Sequence, residues 1–191
     1  MLKIIFILFT LFFHDAFALY PESDLDFMAL PPFCKAKLKP DSPHEVDLWA
    51  RKLGNDFGHT HHFCAALHSL RLAKTIFPSN PELKERKRYL LSDATSDLKY
   101  MEEHAKPNFV LFPFIYTTKA EVLLEQGNKK DAITYLKKAI SINKKYKMPY
   151  IILSDAYLST DQKQLAKELL EEGVKNIPDS KMLSKRLQKL K

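Results

Sequence analysis

The two cysteines of this chain and the histidines around the second one are the side chains best suited to chemistry. If residues 58–68 are helical from about His61, spacings of three and four residues place His61, Cys64 and His68 along one helix face. With Cys34 as a fourth ligand, they match the nitrogen and sulfur donors that tetrahedral zinc prefers. One hypothesis is therefore a zinc-binding protein, to which hydrolytic activity could be attached.

The compartment of the protein bears on this hypothesis, and residues 1–18 have the pattern of a secretory signal peptide. Lys3 gives a positive start, residues 4–13 form an apolar run, and Ala16 and Ala18 fit a cleavage site. The apolar run is only about ten residues, whereas a membrane-spanning helix needs about twenty. We therefore expect an exported protein, periplasmic or secreted, with an uncleaved N-terminal anchor as the alternative.

A disulfide is the favoured interpretation of the cysteines, because two cysteines in an exported protein pair most simply with each other. A Cys34–Cys64 bridge would close a loop of about thirty residues and stabilise the fold by about 3–4 kcal/mol. It would exclude the zinc site, because a disulfide sulfur is not a thiolate ligand. Reduced, packed cysteines are another option. A nucleophile pair of Cys64 with His61 or His68 is the last, and the sequence supplies no orienting carboxylate or oxyanion site for it.

The elements that position these side chains are predicted to be helices. Residues 19–44 are proline-rich and lack periodicity, so we expect an extended arm that packs on the domain at a few points. From Glu45 onward the apolar spacing is helical, and four glycines in the whole chain are too few to punctuate a β-sandwich. Residues 45–106 form an N-terminal helical region, and residues 107–191 form the remainder.

Residues 113–146 and 147–180 form an internal repeat of 34 residues. Residues of similar size coincide at Tyr116 and Tyr150, Ala120 and Ser154, Leu123 and Tyr157, Ala132 and Ala166, Leu136 and Leu170, and Ala139 and Gly173. Each unit is predicted to be two antiparallel helices, with the small residues where the backbones cross closely.

This order of large, small and apolar residues resembles the tetratricopeptide repeat. Gly127 lies in the turn where that family favours glycine, and Pro178 closes the second unit. Residues 60–77 and 82–105 resemble a degenerate third unit. Apolar residues at Leu183, Leu187 and Leu190 predict a C-terminal capping helix, with a membrane-surface helix as the alternative. The resemblance implies an all-α solenoid of antiparallel helix pairs.

The N-terminal part has a resemblance of its own. The segment from Leu30 to Cys34, together with Trp49, Leu53, Gly54 and the histidine-rich helix, is similar to the N-terminal part of a group of exported bacterial repeat proteins. That similarity covers about forty residues and implies no activity.

Resemblance to the repeat family also implies a concave groove lined by the first helix of each unit. The matching positions are Phe114, Thr117, Glu121, Leu124, Glu125, Met148, Ile151, Asp155, Leu158 and Ser159. We expect Thr117, Glu121, Leu124, Ile151, Asp155 and Leu158 to form the partner-binding part. The face lacks the lysine and asparagine with which family members hold a C-terminal carboxylate. It would instead suit an extended or helical segment with apolar anchors and positive charge, unless it packs on the proline-rich arm.

The net charge of +7 is spread over lysines along the helices, which is typical of solvated helix faces. Contact with a lipid headgroup or an acidic polymer is the alternative, whereas export argues against nucleic acid. The leading hypothesis is an exported scaffold without cofactor or chemistry, which binds another protein or peptide segment of the cell envelope. The zinc-binding protein described above is the second hypothesis.

Overall fold

A computed structural model describes residues 19–190, and the predicted signal peptide, residues 1–18, lies outside that range. The described residues form helices and no strand. The helices are α1 (Asp24–Met28), α2 (Pro32–Leu38), α3 (Pro43–Leu53), α4 (Thr60–Thr75), α5 (Pro81–His104), α6 (Phe112–Glu125), α7 (Lys129–Ile142), α8 (Lys147–Leu158), α9 (Lys163–Asn176) and α10 (Lys181–Gln188). A 3-10 turn, Gly54–His59, connects α3 to α4. None of the helices between residues 19 and 190 has the length and apolar character needed to cross a membrane.

The helices pack as successive antiparallel pairs, which confirms the predicted fold class. Helices α6 and α7 form one repeat unit, and α8 and α9 form the next. Helices α4 and α5 pair in the same way upstream, where the degenerate unit was predicted. The chain therefore stacks three helix pairs, and α10 packs on the last of them.

The proline-rich residues 19–44 differ from the extended arm that we expected, because they contain two short helices and the start of a third. Ser23 begins α1 through a reciprocal capping box with Asp26. Pro32 and Pro43 lie at the first positions of α2 and α3, where the missing backbone N–H removes no helical hydrogen bond. Two of the prolines of this segment, Pro32 and Pro43, therefore start helices rather than prevent them.

Two apolar clusters hold the stack together. The first joins α2, α4, α5 and α6, and it contains both cysteines. The second joins α6 to α10 around Tyr150 and Leu183. The repeated small residues Ala132, Ala139 and Ala166 are fully buried, as close crossing of the helix backbones requires.

Gly173 shows how tightly the last pair packs. A Cβ atom at this position would lie 3.1 Å from Cδ1 of Tyr150 and 3.2 Å from Cδ1 of Leu183. Glycine therefore lets α9 approach α8 and α10 more closely than alanine would. Leu183 is fully buried in this contact, so α10 caps the stack as expected.

Candidate protein-binding surface

The first helices of the three pairs lie next to one another. Helix α4 contacts α6, α6 contacts α8, and α8 contacts α10. We call the exposed side of α4, α6, α8 and α10 the inner surface. It carries the ion pairs that join neighbouring first helices, from Lys74 to Glu121 and from Arg186 to Asp155.

Two of the residues predicted for the groove are not available to a partner. Thr117 is 2% exposed, and its hydroxyl donates a hydrogen bond to the carbonyl oxygen of Pro113 at 2.6 Å. Ile151, the equivalent residue 34 positions later, is 4% exposed within the second apolar cluster. Both side chains point into the packing of the stack, because neighbouring first helices approach each other along this row.

The acidic side chains predicted for the groove are paired with cations from other helices. Glu121 lies 2.8 Å from the Lys74 ammonium, and Asp155 pairs with Arg186. Glu125, one turn beyond Glu121, lies 2.7 Å from Lys87. Such partly exposed pairs contribute little to stability, but they neutralise the acidic character that the sequence predicted for this face.

The part of the inner surface on α6 is closed by aromatic side chains. Phe114 packs edge-on against Phe63, with 4.9 Å between ring centroids, and also contacts Tyr146. Burial and the nearby carboxylate of Glu121 raise the pKa of Tyr146 to about 12, so its hydroxyl stays neutral. Leu124 is half-buried against the second cluster. This region therefore offers a partner little apolar area.

The N-terminal segment reaches the edge of the inner surface at α4. Asp26 on α1 accepts a hydrogen bond from Arg71 at 2.8 Å, and Arg71 precedes Lys74 by one helical turn. The sequence left open whether the N-terminal segment packs on the groove. Its hydrogen bond with Arg71 lies on α4, so this contact does not cover the predicted groove residues of α6 and α8.

The inner surface is open at its C-terminal end. A crevice of about 350 Å³ lies between α8, α9 and α10. Leu158 is 39% exposed and Met182 is 48% exposed at its edge. We call this cavity the terminal crevice, and its lining includes Leu158, Leu170, Met182, Lys185, Arg186 and Lys189.

Cys34 and Cys64 form a disulfide in the structure, which is the arrangement that the sequence favoured. Their Cα atoms are 5.5 Å apart, and both side chains are fully buried between α2 and α4. The bridge attaches the short N-terminal helices to the first helix pair.

The disulfide removes the basis of the zinc hypothesis, because both sulfur ligands are consumed. Among the described residues, no group of three or more histidine, cysteine, aspartate or glutamate side chains is arranged to hold a metal ion. His61 donates from Nδ1 to the carbonyl oxygen of Gly58 at 3.0 Å. His68 is buried, and its burial lowers its pKa, so the ring is neutral. The predicted set of Cys34, His61, Cys64 and His68 therefore does not form a metal site.

A row of four closely packed rings was not predicted from the sequence. It consists of His61, His62, Tyr100 and His104, with successive ring centroids 4.3, 3.7 and 3.9 Å apart. Asp97, Tyr100 and His104 share one face of α5 because they are three and four residues apart. That spacing was the only sequence feature that could have indicated the row. The sequence could not show that these side chains meet the histidines of α4, because that contact depends on how α4 and α5 pair.

His62 of this row is also hydrogen-bonded to a carboxyl, with 2.6 Å between its Nδ1 and Oδ1 of Asp97. Burial, reinforced by Asp93, raises the pKa of Asp97 to about 7. Burial, together with His59 and His104, lowers the pKa of His62. The pair therefore holds one proton below neutral pH and loses it as the pH rises. Within residues 19–190, the hydrogen bonds of His62 do not include a serine, threonine or cysteine side chain.

Comparison with known proteins agrees with the repeat geometry. The tetratricopeptide repeat family model matches residues 115–146, which include most of α6 and all of α7. No curated protein and no solved structure matches the chain. The match supports a tetratricopeptide-like protein and a general role as a protein–protein interaction scaffold, and domains of this type are typically non-catalytic.

Proposed function

We propose that this protein is an exported scaffold that binds another protein of the cell envelope at the C-terminal end of its inner surface. The observation that carries the proposal is the exposure of Leu158 and Met182 beside the terminal crevice. Elsewhere on the inner surface, the charged side chains are engaged in ion pairs between helices and the aromatic side chains pack against each other. Apolar side chains at an open cavity are typical of sites that bind an anchoring residue of a partner.

The proposed export rests on two sequence features and one contact. Residues 1–18 have the charge, apolar run and small residues of a signal peptide. The resemblance to exported bacterial repeat proteins that we inferred from the sequence, for the segment from Leu30 to Cys34 and the histidine-rich helix, points the same way. The Cys34–Cys64 disulfide is of the kind that persists in oxidising compartments. Together they support a periplasmic or secreted location.

The binding site is tested by photo-crosslinking in the native host. A photoreactive phenylalanine derivative replaces Leu158 in the full chain, and the matched control carries it at Leu165 on α9, which is 44% exposed. We expect a discrete protein adduct from position 158 and none from position 165. Equal adducts from both positions, or none from position 158, would contradict binding at the terminal crevice.

The location is tested separately by fractionation and thiol alkylation of intact cells. We expect the protein outside the cytoplasm, and we expect Cys34 and Cys64 to resist alkylation until a reductant is added. A cytoplasmic protein with two reactive thiols would refute the export part of the proposal. The binding part would be unaffected, because it rests on the crosslink.

A further inference from the structure

Lysines that lack acidic partners line the terminal crevice. We propose that the crevice binds a partner segment in which apolar residues are flanked by acidic side chains. This inference rests on the proposed function, because it specifies the partner chemistry of the same surface. It also reverses the charge expected from the sequence, which predicted an acidic groove and a basic partner.

The reversal follows from the repeat register of α10. Continuing the 34-residue period places Met182 at the position of Met148, Lys185 at that of Ile151, and Lys189 at that of Asp155. Helix α10 therefore occupies the place of the first helix of a further unit. Lys185 on α10 and Lys189, which directly follows it, are exposed at positions where the preceding unit has the buried Ile151 and the paired Asp155. The inner surface changes from neutral to basic at this end.

The positive charge is not compensated locally. Residues 181–191 contain five lysine or arginine residues and no acidic residue. Arg186 pairs with Asp155, whereas Lys185 and Lys189 belong to none of the ion pairs within the described range 19–190. Two cations therefore remain free beside the exposed Leu158 and Met182, and they would complement acidic side chains on a bound segment.

A bound segment suits this site better than a membrane surface does. Leu183 is fully buried, and Leu187 and Leu190 pack against the second cluster, so the apolar stripe of α10 is used in capping the stack. A helix that binds a membrane needs its apolar face free. The accessible apolar atoms instead lie in a cavity, which favours insertion of individual side chains.

The test uses three fluorescein-labelled peptides of about fifteen residues with one leucine face and with Glu, Gln or Lys at all other positions. Binding to the full mature chain is followed by fluorescence anisotropy at about 50 mM and about 300 mM salt. We expect the Glu peptide to bind about tenfold more tightly than the Gln peptide at low salt, and the Lys peptide to bind least. The preference should shrink at high salt.

Charge-reversal variants localise the effect. Lys185→Glu/Lys189→Glu should weaken binding of the Glu peptide about tenfold. The matched control, Lys130→Glu/Lys137→Glu, makes the same charge change at exposed positions of α7 and should change binding less than about twofold. If circular dichroism shows that Lys185→Glu/Lys189→Glu does not fold, Lys185→Gln/Lys189→Gln is used in its place. Its peptide affinity is then compared with that of the control variant at both salt concentrations.

Several outcomes would overturn the inference. Equal weakening by both double variants would show non-specific attraction to a basic protein. Binding to phosphatidylglycerol vesicles without preference for the Glu peptide would assign the lysines to lipid. Concentration-dependent self-association that Lys185→Glu/Lys189→Glu abolishes would assign the crevice to a second copy of the chain. If crosslinking at Leu158 captures a partner whose binding survives the charge reversal, the proposed function stands and this inference fails.

Discussion

Removal of the Cys34–Cys64 bridge should destabilise the N-terminal half of the stack selectively. The two cysteines are 30 residues apart in sequence, and a loop of that length corresponds to about 3–4 kcal/mol of unfolded-state entropy. Because both side chains are fully buried beside Phe33 and Phe63, reduction also leaves two thiols in a packed core. We expect a fall of about 3 kcal/mol in the free energy of unfolding and of about 10 °C in melting temperature.

The assay is urea denaturation followed by circular dichroism, with and without reductant, on the chain from Leu19 onward. Cys34→Ala/Cys64→Ala is the matched control, because it should be destabilised to a similar extent and should not respond to reductant. Amide hydrogen exchange locates the effect, since the bridge joins α2 to α4. We expect faster exchange in α2, α3 and α4, and little change in α8 and α9.

Two results would refute this reasoning. A change below about 1 kcal/mol on reduction would mean that the bridge does not restrict the unfolded chain as the loop length implies. Equal acceleration of amide exchange throughout the chain would mean that the whole chain unfolds as one unit, so that loss of the bridge does not act locally on α2, α3 and α4. Mass spectrometry of the alkylated protein establishes that the starting material is oxidised.

Two further predictions concern stability. Asp97→Asn keeps an acceptor for His62 and removes a carboxyl whose folded-state pKa is about 7, so it should raise the unfolding free energy by about 2 kcal/mol at pH 8.5. The wild type should lose stability as the pH rises from about 4 to about 7, where only the folded protein still holds the proton, and it should lose no more above that pH. Asp97→Asn should not show this loss. Gly173→Ala should destabilise by about 1–3 kcal/mol, because its Cβ would lie 3.1 Å from Tyr150 and 3.2 Å from Leu183.

Each of these predictions has an outcome that contradicts it. For Asp97, thermal melts between pH 5 and pH 9 that are parallel in wild type and Asp97→Asn would show that the buried carboxyl does not titrate in this range. For Gly173, unchanged stability in urea denaturation would show that Tyr150 moves without cost. Ser184→Ala, half-buried on α10, is a control for general sensitivity of the capping helix.

Local patterns in the sequence determined the helix pairs. The 34-residue period aligned small residues such as Ala132 and Ala166, and these residues are fully buried where the helices cross. The prediction failed at residues 19–44, where proline was interpreted as a sign of extended chain. Pro32 and Pro43 instead occupy the first positions of α2 and α3. Proline is compatible with that position, because the backbone N–H that it lacks has no partner inside the helix.

The charge of the inner surface depended on ion pairs between residues that are distant in sequence. Glu121 and Lys74 are 47 residues apart, and Asp155 and Arg186 are 31 residues apart, so no local pattern relates them. Periodicity indicates which side of a helix a residue occupies. It does not indicate which cation on another helix lies opposite a carboxylate. The ion pairs therefore changed an acidic groove into a neutral one.

By itself the sequence determined the all-helical repeat, the capping helix and the pair of cysteines suited to a disulfide. These features follow from the spacing, size and type of residues, which can be read directly along the chain. Only the tertiary structure decided that Thr117 and Ile151 are buried and that His62 meets Asp97, 35 residues away. It also decided that Lys185 and Lys189 remain uncompensated beside the terminal crevice. The physical reason is that burial and electrostatic compensation depend on neighbours supplied by other helices, and the packing of the stack selects those neighbours.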